Sequence, residues 1–189
     1  MWSKIEYVLL HLYILGICTV LIGAFVVQLS WKEFPCPLCL LQRMSMILAA
    51  IGPAYIILSG RRHHHVGMSV LAAGFGMAIL AAVGGLSQAA RQDLLHIAPG
   101  DKGYGTPVFG WHLYTWSVVI FLVIIVISGI TMLVGDKLVA ENDRKMRWFS
   151  HATIWIFGVV ILANAFNALA ISGWHWFLPD NPDSYLLFQ

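Results

Sequence analysis

The sequence predicts an all-α integral membrane protein, and three observations carry that prediction. Of 189 residues, 59% are hydrophobic and only 11% are charged, too little charge to cover the outside of a soluble domain. Five apolar stretches, near residues 8–29, 40–58, 66–86, 116–134 and 153–171, are each long enough to cross a hydrocarbon core about 30 Å thick at about 1.5 Å per residue. Aromatic residues gather at the ends of those stretches, where interfacial belts belong. Trp31, Phe34, Trp111, Tyr114, Trp116, Trp174, Trp176 and Phe177 mark one boundary, and Trp2, Tyr7, Trp148 and Phe149 the other.

The first stretch follows Lys4 and is too long for a signal-peptide core; no A-x-A site follows it. Cys18 is preceded by Ile17, not by the small residue a lipoprotein cleavage site needs, so an uncleaved first helix is expected, with Cys18 as packing. The second helix starts close to Pro35-Cys36-Pro37-Leu38-Cys39, since proline is tolerated in a first helical turn. The third is rich in glycine and alanine between Ala72 and Gly85, which predicts close packing inside the bundle. The fourth opens on Trp116. The fifth carries Asn164 and Asn167 one turn apart, a spacing that predicts interhelical hydrogen bonds. Beyond it lies the acidic, turn-rich tail Pro179-Asp180-Asn181-Pro182-Asp183, which reads as a docking or covering segment.

Lys and Arg set the orientation. With the N-terminus cytoplasmic, Lys4, Arg61, Arg62, Lys137, Arg144, Lys145 and Arg147 lie inside, while Lys32, Arg91 and Lys102 lie outside. The cysteine pair, the loop at 91–111 and the C-terminus then face the exterior, where disulfides persist. The net charge of +2 is small and scattered, so no nucleic-acid partner is expected.

Three cysteines cannot form a disulfide scaffold, and only Cys36 and Cys39 are close together. Their spacing, with Arg43 four residues on, puts all three on one helix face. The positive end of the helix dipole favours a thiolate on Cys36, and a two-residue spacer allows a reversible disulfide. An inert disulfide and two buried small residues are the bland alternatives for the pair; for Arg43 the alternative is a snorkelling interface residue. No metal site is expected. A zinc site lacks a second Cys/His pair on the outer face, the His63-His64-His65 run reads as a solvated or headgroup-facing turn, and a bis-histidine haem would need two of His11, His112 and His151 facing each other at one depth, which a sequence does not reveal.

The run Phe34-Pro35-Cys36-Pro37-Leu38-Cys39-Leu40-Leu41-Gln42-Arg43 resembles the first periplasmic motif of the bacterial disulfide-bond formation protein B (DsbB) family. The resemblance extends to the Ala90-Arg91-Gln92 segment and the approach to helix four, over about residues 5–135. It implies a four-helix membrane domain over 1–135, here followed by a cytoplasmic loop at 136–149 and a fifth helix with exterior tail over 150–189. It also implies a bacterial inner-membrane location and a thiol:quinone oxidoreductase. Cys36 and Cys39 match the family's quinone-proximal redox disulfide, Cys39 meeting the quinone (ubiquinone or similar) and Arg43 polarising its carbonyl. The ring would lie under the outer ends of helices one, two and three. Arg91 and Gln28 are further candidate cofactor-binding residues, although Gln28 fits a quinone contact or the capping of a neighbour equally well.

Two departures bear on function. The better-known members carry a second cysteine pair in the long outer loop, whereas this chain has no cysteine after Cys39; the four-helix plan also lacks a fifth helix. Electrons then enter from a periplasmic thiol-disulfide protein or from another cysteine-containing subunit. The alternative function is a non-enzymatic accessory subunit of a larger membrane complex, contacted through helix five.

Overall fold

The structure is a computed structural model that describes residues 2–63, 65–134, 138–139, 144–175, 182 and 184–188. Its helices are α1 (Trp2–Trp31), α2 (Pro37–His63), α3 (Met68–Leu95), α4 (Leu113–Val134) and α5 (Arg144–Ser172). All five are long and apolar enough to cross a membrane, and the chain is a multi-pass, all-α membrane protein. Each helix runs past the stretch expected from hydropathy, because helical hydrogen bonding continues into the polar residues that flank an apolar run. Helix α3 continues nine residues further than expected, to Leu95, and so carries Gln88, Arg91 and Gln92 on a helix. Helix α5 begins at Arg144, inside the stretch expected to be loop. Most of the acidic tail and His64 lie outside the described residues, as do the side chains of His63 and His65.

Large apolar side chains far from any loop face outward: Leu80 is 75% exposed and Leu162 is 71% exposed. Such positions are stable only against hydrocarbon. The inward faces meet in a core built on Leu21, Ile56, Ile57, Phe75 and Phe121. Small residues let the central helices approach. A Cβ added at Gly52 of α2 would land on the Gly74 carbonyl oxygen of α3, and one at Gly85 of α3 would strike the Phe121 ring of α4. Where lipid is as apolar as leucine, such close van der Waals packing replaces the hydrophobic effect as the adhesive.

The two ends of the bundle differ. At the end away from the cysteines, β1 (His65–Val66) pairs antiparallel with β2 (Leu138–Val139), tying the α2–α3 turn to the α4–α5 connection. There α1 and α5 are joined by buried His11, whose Nε2 lies 2.9 Å from Ser150 Oγ and whose Nδ1 lies 2.8 Å from the Tyr7 carbonyl oxygen. His151 meets Arg61 at 2.6 Å. His11 and His151 are thus engaged in helix-to-helix hydrogen bonds, and no cluster of three or more His, Cys, Asp or Glu that could hold a metal occurs among the described residues.

The Gly52–Gly74 approach generates a prediction. Gly52→Ala must displace backbone rather than a flexible side-chain end, so it should lower stability by about 1–3 kcal/mol. Gly84→Ala, which meets nothing within 4 Å, should be near neutral. Thermal unfolding in detergent compares them, and equal midpoints would show that the two helices can separate without cost.

Candidate functional site

The site begins with a helix start. Helix α1 stops at Trp31, and Lys32 adopts a left-handed φ of 55° as the chain leaves it. After a short extended segment Pro37 opens α2, with Cys36 in the capping position: the Leu40 N–H donates to the Cys36 carbonyl at 3.1 Å. The first turn of any helix has unsatisfied N–H groups. Here the Cys39 N–H donates to Cys36 Sγ at 3.2 Å, so the sulfur takes the role a serine oxygen plays in an ordinary cap.

The Sγ atoms of Cys36 and Cys39 lie 2.6 Å apart. Gln92 of α3 spans both: its Nε2 donates to Cys36 Sγ at 3.3 Å and lies 3.6 Å from Cys39 Sγ, while its Oε1 accepts from Gln42 Nε2 at 2.8 Å. Contact with Cys39 is the first cause that raises the Cys36 thiol above its ordinary range, and burial is the second. Both act against the helix dipole, which favours a thiolate there. Cys36 is also the less accessible sulfur, at 6% exposure, whereas Cys39 faces a cleft.

The outer loop is latched to the cysteine segment. Tyr104 donates from its hydroxyl to the Phe34 carbonyl at 2.7 Å, and the Thr106 N–H and hydroxyl both bind the Glu33 carboxylate. Burial pushes the Tyr104 hydroxyl above the ordinary tyrosine range, which keeps it a donor. Farther along the loop Asp101 accepts from the Gly103 N–H at 2.8 Å and meets His96 at 3.1 Å.

Arg43 lies one turn deeper than Cys39 and is only 8% exposed. Its partners among the described residues are neutral: Nη1 donates to Gln28 Oε1 at 3.0 Å, Nη2 to the Ala24 carbonyl at 3.3 Å, and the guanidinium sits 5.2 Å from the Phe25 ring centroid. Gln28 in turn donates from Nε2 to Asn167 Oδ1 of α5 at 2.7 Å and to the Tyr185 hydroxyl at 3.2 Å. The interhelical role expected of Asn167 is thus seen, whereas Asn164 bonds the Val160 carbonyl of its own helix.

Cys39, Arg43, Gln28 and Gln42 line a cleft of about 100 Å³ that is walled by α1, α2, α4 and the loop at Tyr104–Thr106. Through Val20, Trp116 and Ile120 it adjoins a larger apolar groove of about 290 Å³ between α1 and α4. Together they form one elongated, mostly apolar space with its polar groups at the cysteine end, the pattern of a small-molecule site. Of the residues singled out in the sequence, Cys36, Cys39, Arg43 and Gln28 converge here. Arg91 does not: it is exposed at the end of α3, and the cleft is walled by α4 in place of α3. Gln92, Asn167 and Tyr185 were not singled out for the site. Gln92 adjoins Arg91 in the matched segment, and the rotation of about 100° between successive helical residues separates a neighbour that faces water from one that faces sulfur.

A family model described as disulfide bond formation protein DsbB matches residues 6–131. The chain is 39% identical over 95 residues to disulfide bond formation protein B 1 of Pseudomonas savastanoi pv. phaseolicola. That alignment covers 48% of this chain and 52% of the relative, so the chain spans about half the length of the curated relative it matches. No solved structure matches.

Two measurements follow from the geometry. Because contact with Cys39 raises the Cys36 pKa, Cys39→Ser should move the alkylation profile of Cys36 in the reduced protein to lower pH. Loosening the latch with Tyr104→Phe should speed maleimide labelling of Cys36 several-fold in that background. An unmoved profile, or an unchanged labelling rate, would remove the Cys39 effect or the latch respectively.

Proposed function

The chain belongs to the DsbB family of disulfide bond formation proteins, and from that premise we propose that it is a membrane thiol:quinone oxidoreductase of the bacterial inner membrane. A periplasmic dithiol protein is its electron donor, and the cysteine end of the bundle faces the periplasm, with the N-terminus cytoplasmic. The observation that carries the reading is Cys39 and Arg43, which has no carboxylate partner among the described residues, on one wall of a cleft that runs into an apolar groove. A buried guanidinium without a carboxylate is expensive inside a membrane. It is useful where negative charge develops on a ligand oxygen. A flat ring with carbonyl oxygens and an apolar tail fits that sequence of surfaces.

In the proposed cycle a thiolate of the partner attacks Cys36 Sγ of the Cys36–Cys39 disulfide. The S–S bond breaks, a mixed disulfide forms at Cys36, and Cys39 leaves as a thiolate beside Arg43. The partner's second thiol then displaces Cys36, so the partner gains a disulfide and this chain holds two thiols. A bound quinone supplies the two-electron acceptor, taking two electrons and two protons as the Cys36–Cys39 disulfide is remade. Gln92 keeps both sulfurs oriented through the exchange. Because the loop latch covers Cys36, the partner engages only after Tyr104 and Thr106 release Phe34 and Glu33. With no cysteine after Cys39, the partner delivers its electrons directly rather than through an internal relay.

The absent relay and the buried Cys36 also favour a second reading, a non-enzymatic accessory subunit contacted through α5. Quinone reduction by the purified protein with a reduced dithiol donor separates the two. Activity that disappears in Cys39→Ser supports the oxidoreductase, and Arg43→Ala should then raise the quinone KM by about tenfold or more, the worth of a charged hydrogen bond. No reduction with any dithiol donor, and a cysteine pair indifferent to the quinone pool, would leave the accessory subunit. For orientation, a reporter fused after Gln189 should read as periplasmic; a cytoplasmic signal would invert the placement of the site.

A further inference from the structure

Gln28 can hold Arg43 in only one orientation of its amide. Oε1 must face the guanidinium, since an amide NH₂ turned that way would set donor against donor. Hydrogen bonds on the other side of the amide fix that choice: Nε2 donates to Asn167 Oδ1 at 2.7 Å and to the Tyr185 hydroxyl at 3.2 Å. Asn167 Nδ2 also reaches Gln28 Oε1 at 3.4 Å, so the two buried amides lie side by side. Tyr185 is held in turn by an edge contact with Phe34, ring centroids 4.8 Å apart, and Phe34 lines the cleft beside the cysteines. At the end of α5 Gly173 adopts a φ of 59°, and Leu186 lies against it.

Asn167 and Tyr185 both lie beyond residue 131, where the family match ends. The part of the chain that the family plan does not contain therefore reaches the charged residue of the family's own site. We propose that Asn167 and Tyr185 are positioning residues that lock the Gln28 amide and, through it, hold the Arg43 guanidinium beside Cys39. Helix α5 and the tail then act as part of the acceptor site, not only as a fifth span or an outward contact surface. This deepens the oxidoreductase reading and rests on it.

The test uses the full-length protein in detergent, with dithiothreitol as donor and decylubiquinone as acceptor. Asn167→Leu should raise the quinone KM about tenfold and Tyr185→Phe about threefold, with kcat at saturating quinone changed less than twofold, the scale of a hydrogen bond lost at one remove from a charge. Asn164→Leu, one turn away on the same helix, should leave KM unchanged. In a Gln28→Ala background Asn167→Leu should add nothing, because the two act through one amide. Should Asn167→Leu fail to fold, Tyr185→Phe keeps the ring against Phe34 and carries the test alone. Unchanged KM in both variants of an active protein overturns this proposal and leaves the oxidoreductase standing. So does an Asn167→Leu effect that persists in full without Gln28. A wild type that reduces no quinone overturns both.

Discussion

Arg43 is the constraint around which the cysteine end of the molecule is arranged. A guanidinium at this depth has lost most of its water and finds no carboxylate among the described residues. Neutral dipoles and a ring face stabilise it, and all three groups come from α1: the Gln28 amide, the Ala24 carbonyl and the Phe25 ring, with α5 and Tyr185 behind the amide. In a medium without water every such group needs an internal partner. Helix α1 is therefore held to α2 by Arg43 and to α5 by Gln28, and the bundle closes around one charge.

The other half of the architecture follows from the absence of side chains. At Gly52, Gly74 and Gly85 the central helices come close enough that α3 has no room for a β-carbon. This fixes the height of α3 against α2, and so brings Gln92 level with the first turn of α2. Since Gln92 bridges both sulfurs and Gln42, a contact deep in the apolar bundle determines the surroundings of the cysteines. Helix α4, in turn, packs on α3 through Phe121 and stands away from α1, which leaves the groove between them.

Much of this was legible from the sequence, and the boundary is physical. Five spans follow from hydropathy, and the shared face of Cys36, Cys39 and Arg43 follows from helical spacing alone. Helix ends were misjudged at the polar residues, because a backbone ladder does not stop where hydrophobicity does; α5 starting at Arg144 is the clearest case. Arg91, a candidate from the matched segment, is exposed away from the cleft, while the next residue, Gln92, points at the sulfurs, a difference of helical phase that the motif alone does not reveal. At Cys36 the helix dipole is opposed by the neighbouring Cys39 and by burial, both of which depend on the folded site. Asn167 was legible as a residue that needs a partner, but Gln28 as that partner lies 139 positions away. No local pattern encodes that pairing.

The groove between α1 and α4 is open at its flank, with Leu12, Val123 and Ile127 on its rim exposed to the surrounding medium. A hydrophobic ligand entering there arrives by diffusion within the sheet of lipid and never crosses water. The concentration that governs its occupancy is then its mole fraction in the bilayer. Any affinity expressed per litre of buffer will drift with the amount of lipid or detergent present, although nothing in the protein has changed. Diluting the bilayer with inert phospholipid, at constant protein and ligand, should empty such a site just as adding water empties a soluble one.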